Sequence, residues 1–289
     1  MKVKKAIIPA AGLGSRMLPA TKALPKPMLP VLDKPTIQYV VEEVVESGIE
    51  EIFIITGHNS QAIKDHFDNN SIFDQMLKEA GKEAELQELY DLCSRASFTY
   101  IPQEEPKGLG HAVLCARDYI GDEPVAVLTS DDVIYGSEPC IGQMARVYEE
   151  KGHTVLGAQR VDWSNVHKYG IVDSDDPTGS TVLVKELTEK PTREEASSNL
   201  AVLGRYIIDP EIFAILERTP PGRGGEIQIT DALNLLAQEQ PVWAYTFEGR
   251  RYDFGDPFGM LEGLIEFALR REDLADDLMK FMAEKVKAG

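Results

Sequence analysis

Lys5-Ala6-Ile7-Ile8-Pro9-Ala10-Ala11-Gly12-Leu13-Gly14-Ser15-Arg16-Met17-Leu18-Pro19 opens as a short apolar run and passes directly into a loop of small residues. The run from Lys5 to Ala10 reads as a buried first strand. Small residues behind such a strand let backbone N–H groups approach a phosphate chain closely. Ser15 and Arg16 add side-chain donors, and the guanidinium fork suits phosphate oxygens. Two familiar phosphate loops do not fit. A Walker A loop ends in Gly-Lys-Ser/Thr, and a dinucleotide fingerprint needs a third glycine where this chain has Met17. An NAD-binding oxidoreductase is thereby disfavoured.

Outward from the loop, Pro19, Pro25, Pro27, Pro30 and Pro35 exclude a regular helix and predict a long extended loop. Thr36 to Ser47 has helical spacing (Ile37, Val40, Val41, Val44, Val45) and stops at Gly48. Strands are predicted at 51–56, 98–101, 125–129 and 154–160. Helices are predicted within the polar stretch 60–95 and at 110–118 and 140–150. This alternation predicts an α/β fold of three layers, with a mixed, mostly parallel sheet covered on both faces. After Asp162 the pattern changes to short strands near 171–172, 182–187 and 202–208, with a polar turn at 175–179. They suit a small antiparallel extension. A helix is predicted at 226–238, a strand at 242–247, and a long amphipathic helical tail over 257–287, packing on the body or on another subunit.

The chain has 289 residues and 43% hydrophobic content, enough for one large α/β domain with a small appendage. Its net charge of −18 opposes general nucleic-acid binding. No apolar stretch approaches a membrane span, and the N-terminal run is too short for a signal peptide, so a cytoplasmic protein is expected. Cys93, Cys115 and Cys140 are widely spaced and read as reduced thiols, and the five histidines show no metal spacing. Against this acidic background, residues 1–34 hold seven basic side chains and one acid, Asp33. That island points to an anion site around Arg16, Lys22 and Lys26.

The loop continues into Pro25-Lys26-Pro27-Met28-Leu29-Pro30. Further along come Gly108-Leu109-Gly110-His111-Ala112, Tyr169-Gly170, Glu189-Lys190-Pro191 and Glu226-Ile227-Gln228-Ile229-Thr230-Asp231. In these motifs, in this order, the chain resembles the bacterial UTP–glucose-1-phosphate uridylyltransferases, within the nucleotidyltransferases that activate sugar phosphates. The resemblance implies a Rossmann-like nucleotidyltransferase domain over 1–256, with a nucleotide half to about 160 and a sugar-phosphate half over 161–256. Residues 257–289 would be the helical tail. It further implies Mg²⁺ as cofactor, UTP and glucose 1-phosphate as partners, and a homodimer or homotetramer.

Residue by residue, the resemblance implies Ala10, Ala11, Gly12, Gly14 and Ser15 at the nucleotide, with Arg16 and Lys26 at its phosphates. Gln103 and Gly108 would meet the base, and Gly170, Glu189 and Lys190 the sugar phosphate. Of Asp131 and Asp132, adjacent strand residues facing opposite ways, Asp131 is taken as the metal ligand, joined by Asp253 from Tyr252-Asp253-Phe254-Gly255. Asp256 reads as a turn residue. Arg16, Lys26, Asp131 and Lys190 together are the expected catalytic set. A sugar phosphate has a second pKa of about 6, so positioning and charge neutralisation should suffice without a general base. Pro27 stands where these enzymes usually carry Glu, and Ser15 where Thr is usual. A thymidylyltransferase and a non-catalytic regulatory paralogue are the alternatives.

Overall fold

The computed structural model describes residues 2–58, 60–68, 72–176 and 178–288. In its main sheet the Lys5–Ala10 strand pairs in parallel with Glu51–Thr56 on one side and Val125–Leu128 on the other. Ser97–Pro102 extends the parallel run beyond Glu51–Thr56. Successive residues of these strands enter opposite cores. Ile7, Phe53, Ile55, Val125 and Val127 pack on one face, while Ala6, Ile8, Ile52, Ile54 and Leu128 pack on the other. A sheet covered on both sides explains why the strands read as unbroken apolar runs. Each fully buried Ile contributes roughly 1.5–3 kcal/mol. Helices Thr36–Glu46 and Cys140–Lys151 cover the second face, and Leu109–Leu114, Glu211–Arg218 and Ile229–Glu239 the first.

The sheet departs from the expected layout in one major respect. Leu200–Ile208, expected in the antiparallel extension, runs antiparallel through the middle, between Val125–Leu128 and Val155–Arg160. All nine of its residues are buried, including Arg205. The expected strand at 182–187 is two strands with different partners. Thr181–Leu183 lies on Trp243–Thr246, and Glu186–Glu189 on Gly170–Asp173. Between Gly170–Asp173 and Thr181–Leu183, Asp176 Oδ1 accepts from the Thr178 N–H; Pro177 lies outside the described residues.

Three helices are also corrected. The 110–118 segment is two short helices, Leu109–Leu114 and Arg117–Ile120. The helix expected from 226 begins at Ile229, because Glu226 and Gln228 are extended and the backbone of Ile227 is bonded elsewhere. Its N–H donates to the Lys107 carbonyl, and its carbonyl accepts from Gly110. The tail is two helices, Pro257–Leu269 and Ala275–Ala288. In the break between them, Arg271 bonds Asp33 and Asp273.

A small ribbon was not expected. Asp132–Tyr135 pairs antiparallel with Arg250–Asp253, setting Asp253 opposite Asp132. Val31, Val133, Tyr252, Phe254 and Phe267 form a third core that ties this ribbon to the tail.

Candidate active site

Four parallel strands carry their C-terminal ends to one edge of the sheet, where ligands bind in open α/β folds. The segments leaving three of them enclose a cavity of about 550 Å³. Its walls include Ala10, Ala11, Gly12, Gly14, Ser15 and Arg16, with Lys26, Gln103, Gly108, Asp131 and Lys190. A second cavity of about 670 Å³ adjoins it, sharing Arg16, Asp131, Lys190 and Glu226 and adding Gly170, Glu189 and Asp253. Every site residue expected from the sequence except Lys22 therefore lies on these two connected hollows. Lys22 lines a smaller one beside them, with Lys26 and Gln103. Another hollow, about 710 Å³, lies behind the ribbon around Tyr39 and Tyr135 and shares none of these residues.

Glycine geometry shapes the first cavity. Gly14 has φ +62°, and a Cβ there would come within 3.0 Å of Lys26 Cβ and Thr21 Cγ2. Its absence lets the Pro-rich segment pack on the loop, which brings Lys26 in. At Gly12 a Cβ would meet nothing within 4 Å, so the loop faces open space there. Gly108, at φ +101°, backs against Glu226 and Ile227.

The two aspartates expected at the metal do converge. Asp131 leaves the Val125–Leu128 strand, and the ribbon register brings Asp253 alongside. The Phe254 N–H donates to the Asp131 carbonyl at 2.9 Å. Gly255 measures the result. A Cβ at that position would sit 2.6 Å from Asp253 Oδ1, 2.8 Å from Asp131 Oδ2 and 2.8 Å from Lys26 Nζ. Lys26 Nζ donates to Asp131 Oδ2 at 2.5 Å. Burial resists ionisation of Asp131, yet Lys26, with Arg251 and Arg16 beyond, holds its carboxyl below the ordinary range. A hard divalent cation wants such oxygen donors and keeps open positions for phosphate and water. The Asp131 and Asp253 carboxylates beside an open cavity fit it. Among the described residues no cluster of three or more His, Cys, Asp or Glu forms a closed metal cage.

Asp131 is a turn residue, not the strand neighbour expected, and Asp132, which opens the ribbon strand, also borders the second cavity, but its carboxylate is engaged within the protein. Its Oδ2 accepts from the Thr129 hydroxyl at 2.8 Å, and its Oδ1 pairs with Arg251 at 2.5 Å. Burial pushes its carboxyl up to about 6 despite Arg251, with Asp131 and Asp253 adding repulsion. Arg251 also reaches Asp253 Oδ2 at 3.2 Å and the Tyr169 hydroxyl at 3.1 Å, with its guanidinium 5.2 Å from the Tyr169 ring centroid. The sequence reading missed Arg251. The signal was its position two residues before Asp253, on the same strand face.

In the second cavity, the antiparallel register sets Glu189 opposite Gly170. Glu189 Oε2 accepts from the Thr230 hydroxyl at 2.7 Å, and Oε1 lies 3.0 Å from Lys190 Nζ. A Cβ at Gly170 would press on Thr230 Oγ1 at 3.0 Å. Lys190 has φ +47°, a strained conformation for a non-glycine residue, held by its N–H to the Tyr169 carbonyl and by Arg223 on its own carbonyl. Asp256 caps the Pro257–Leu269 helix, accepting from the N–H groups of Phe258 and Gly259 at 3.0 Å.

A family model, nucleotidyl transferase, matches residues 5–267. The chain belongs to the nucleotidyl transferase family. Within that family it is 50% identical over 283 residues to a UTP–glucose-1-phosphate uridylyltransferase of Staphylococcus haemolyticus, covering 98% of each chain. A UDP-glucose pyrophosphorylase solved with UDP-glucose is 40% identical, with a TM-score of 0.87 over 93% of this chain and 100% of that one. A UTP-bound enzyme of the same kind from Acinetobacter baumannii is 35% identical, with a TM-score of 0.90 over 98% of this chain and 99% of that one. These nucleotidyl transferases match this chain nearly end to end.

Proposed function

We propose that this nucleotidyl transferase moves UMP from UTP to glucose 1-phosphate, giving UDP-glucose and pyrophosphate. The observation that carries the reading is the junction of the two cavities. Arg16, Asp131 and Lys190 border both. One hollow is walled by a glycine loop suited to phosphates and the other by Glu189 and Lys190. A nucleotide in the first and a sugar phosphate in the second would meet at Asp131.

The sugar phosphate is ionised at neutral pH, with a second pKa of about 6. Its oxygen attacks the α-phosphorus in line; the bond from that phosphorus to the bridging α–β oxygen breaks, and pyrophosphate leaves. Loop N–H groups from Ala11 to Gly14, with Arg16 and Lys26, neutralise the triphosphate. Lys190 aligns the incoming phosphate, and Glu189 accepts from sugar hydroxyls. Asp131 and Asp253 would hold Mg²⁺, which supplies further charge neutralisation when bound. Gln103 and Gly108 serve the base. We divide the domain accordingly, with the nucleotide half to about residue 160 and the sugar-phosphate half over 161–256. The second tail helix leaves Met279, Phe281 and Val286 exposed, which supports a subunit contact in a dimer or tetramer.

A competition series with UTP, dTTP, ATP and CTP, glucose 1-phosphate as acceptor and pyrophosphate as readout, tests the donor. UTP should have the highest kcat/KM. A clear preference for dTTP would replace the reading with a thymidylyltransferase.

A further inference from the structure

Gln103 leaves the Ser97–Pro102 strand with its side chain buried at the wall of the nucleotide cavity. A primary amide has two faces, an acceptor oxygen and a donor nitrogen, and it can present either. Here the protein decides which. Gln103 Nε2 lies 3.3 Å from the Gly108 carbonyl and 2.8 Å from His111 Nδ1. A carbonyl only accepts, so the nitrogen must face it. The same nitrogen then donates to His111 Nδ1, which must be unprotonated, leaving the ring proton on Nε2. Cys115 Sγ, at 4.0 Å, also approaches Nδ1. Burial, and then Lys107, hold the imidazole below its ordinary pKa, against Glu105, and so favour the neutral ring this arrangement needs. Among the described residues, none donates to Gln103 Oε1.

We infer that His111 is a positioning residue: by occupying the amide nitrogen of Gln103 it turns the oxygen of that amide to the nucleobase, and so favours a base with a ring N–H. The inference rests on the reading that Gln103 meets the base. Uracil N3 carries a proton that Oε1 can accept. Cytosine N3 carries a lone pair, which would meet another lone pair at the same place. Thymine shares the uracil N–H, so this device separates UTP from CTP and leaves the choice between UTP and dTTP to other contacts. The glycines complete the arrangement. Gly108 and Gly110 back onto Glu226 and Ile227 with no room for side chains, which fixes the Gly108 carbonyl and the helix bearing His111.

The test is the ratio of kcat/KM for UTP over CTP at saturating glucose 1-phosphate. His111→Ala should lower that ratio about tenfold or more, because a site built around one oriented hydrogen bond loses its discrimination when the group can turn. The rise in KM should be larger for UTP than for glucose 1-phosphate. His111→Asn, whose amide oxygen can take the place of Nδ1, should keep the ratio near that of the wild type. An unchanged ratio in His111→Ala overturns the proposal, and so does an equal loss in both variants. Gln103→Ala separates this failure from failure of the reading beneath it. If that variant keeps the ratio, Gln103 does not read the base and both fall. If it loses the ratio while His111→Ala does not, only the role of His111 falls. Nitrogen-15 spectra of the wild-type imidazole need no variant. A proton on Nε2 is expected, and a proton on Nδ1 overturns the assignment.

Discussion

Lys26 Nζ and Asp131 Oδ2 stand 2.5 Å apart, joined across 105 residues of sequence. The Pro-rich segment packed on Gly14 brings the lysine, and the turn after the Val125–Leu128 strand brings the aspartate. The pair puts the cation expected at the triphosphate in direct contact with the carboxylate expected at the metal. Removing either should leave the fold and remove the chemistry. Lys26→Ala and Asp131→Ala are each expected to lower kcat about 10²-fold or more, the scale of one lost transition-state contact. Steady-state kinetics on variants with native circular dichroism checks this, and near-wild-type rates would contradict it.

Gly255 gives a sharper probe of the same point. Its φ is not in the left-handed region, so alanine adds only a methyl group. That methyl would sit within 2.8 Å of Asp131, Asp253 and Lys26 at once. Gly255→Ala should therefore lose activity about 10²-fold, and the Mg²⁺ concentration giving half-maximal rate should rise. Chelation by EDTA should abolish turnover in the parent enzyme, with recovery on adding Mg²⁺. Full activity in Gly255→Ala would contradict a metal shared between Asp131 and Asp253.

Much of this site was legible in the sequence, and the reason is physical. A loop that lets backbone N–H groups approach a ligand needs small residues close together, and Ala10, Ala11, Gly12 and Gly14 fall within five positions. The same holds for the parallel strands, whose two buried faces make unbroken apolar runs. What was not legible depends on pairing between distant segments. Leu200–Ile208 reads as a strand, but nothing within it says that it enters the middle of the sheet. The Asp132–Tyr135 and Arg250–Asp253 ribbon has only four residues a side, with charged ends. The Ile229 start of its helix was hidden because the Lys107–Gly110 segment commits the backbone of Ile227 to other bonds. His111 looked unremarkable as one of five scattered histidines, since its meaning comes from Gln103 beside it.

Arg205 and Glu43 form a buried pair behind the Thr129–Asp132 turn. Arg205 is fully buried, donates to both Glu43 oxygens, and reaches the carbonyls of Thr129, Gly204 and Asp132. Removing one partner strands a buried charge. Arg205→Met should cost about 3–5 kcal/mol, and Arg205→Met with Glu43→Leu should recover part of that loss. Urea unfolding measures both, and a single variant as stable as the parent would contradict the account.

His66 predicts an acid-side loss of stability. Burial lowers its pKa from 6.5 to about 4, and its Nε2 lies 3.0 Å from Gln38 Oε1. The unfolded chain therefore takes up a proton near pH 6.5 that the folded chain refuses until about pH 4. Stability from this group is present above pH 6.5 and falls as pH drops through that window, by at most about 1.4 kcal/mol per pH unit. His66→Gln should flatten the unfolding free energy between pH 6.5 and 4. An unchanged slope would show that His66 is not the group responsible.

The central claim is that a sugar phosphate oxygen attacks the α-phosphorus of UTP, and isotope tracing tests it most directly. Glucose 1-phosphate carrying ¹⁸O at all four phosphate oxygens is turned over with UTP and Mg²⁺, and both products are weighed by mass spectrometry. The account predicts UDP-glucose that keeps all four labelled oxygens, and unlabelled pyrophosphate. Labelled pyrophosphate, or no nucleotide sugar at all, would contradict it.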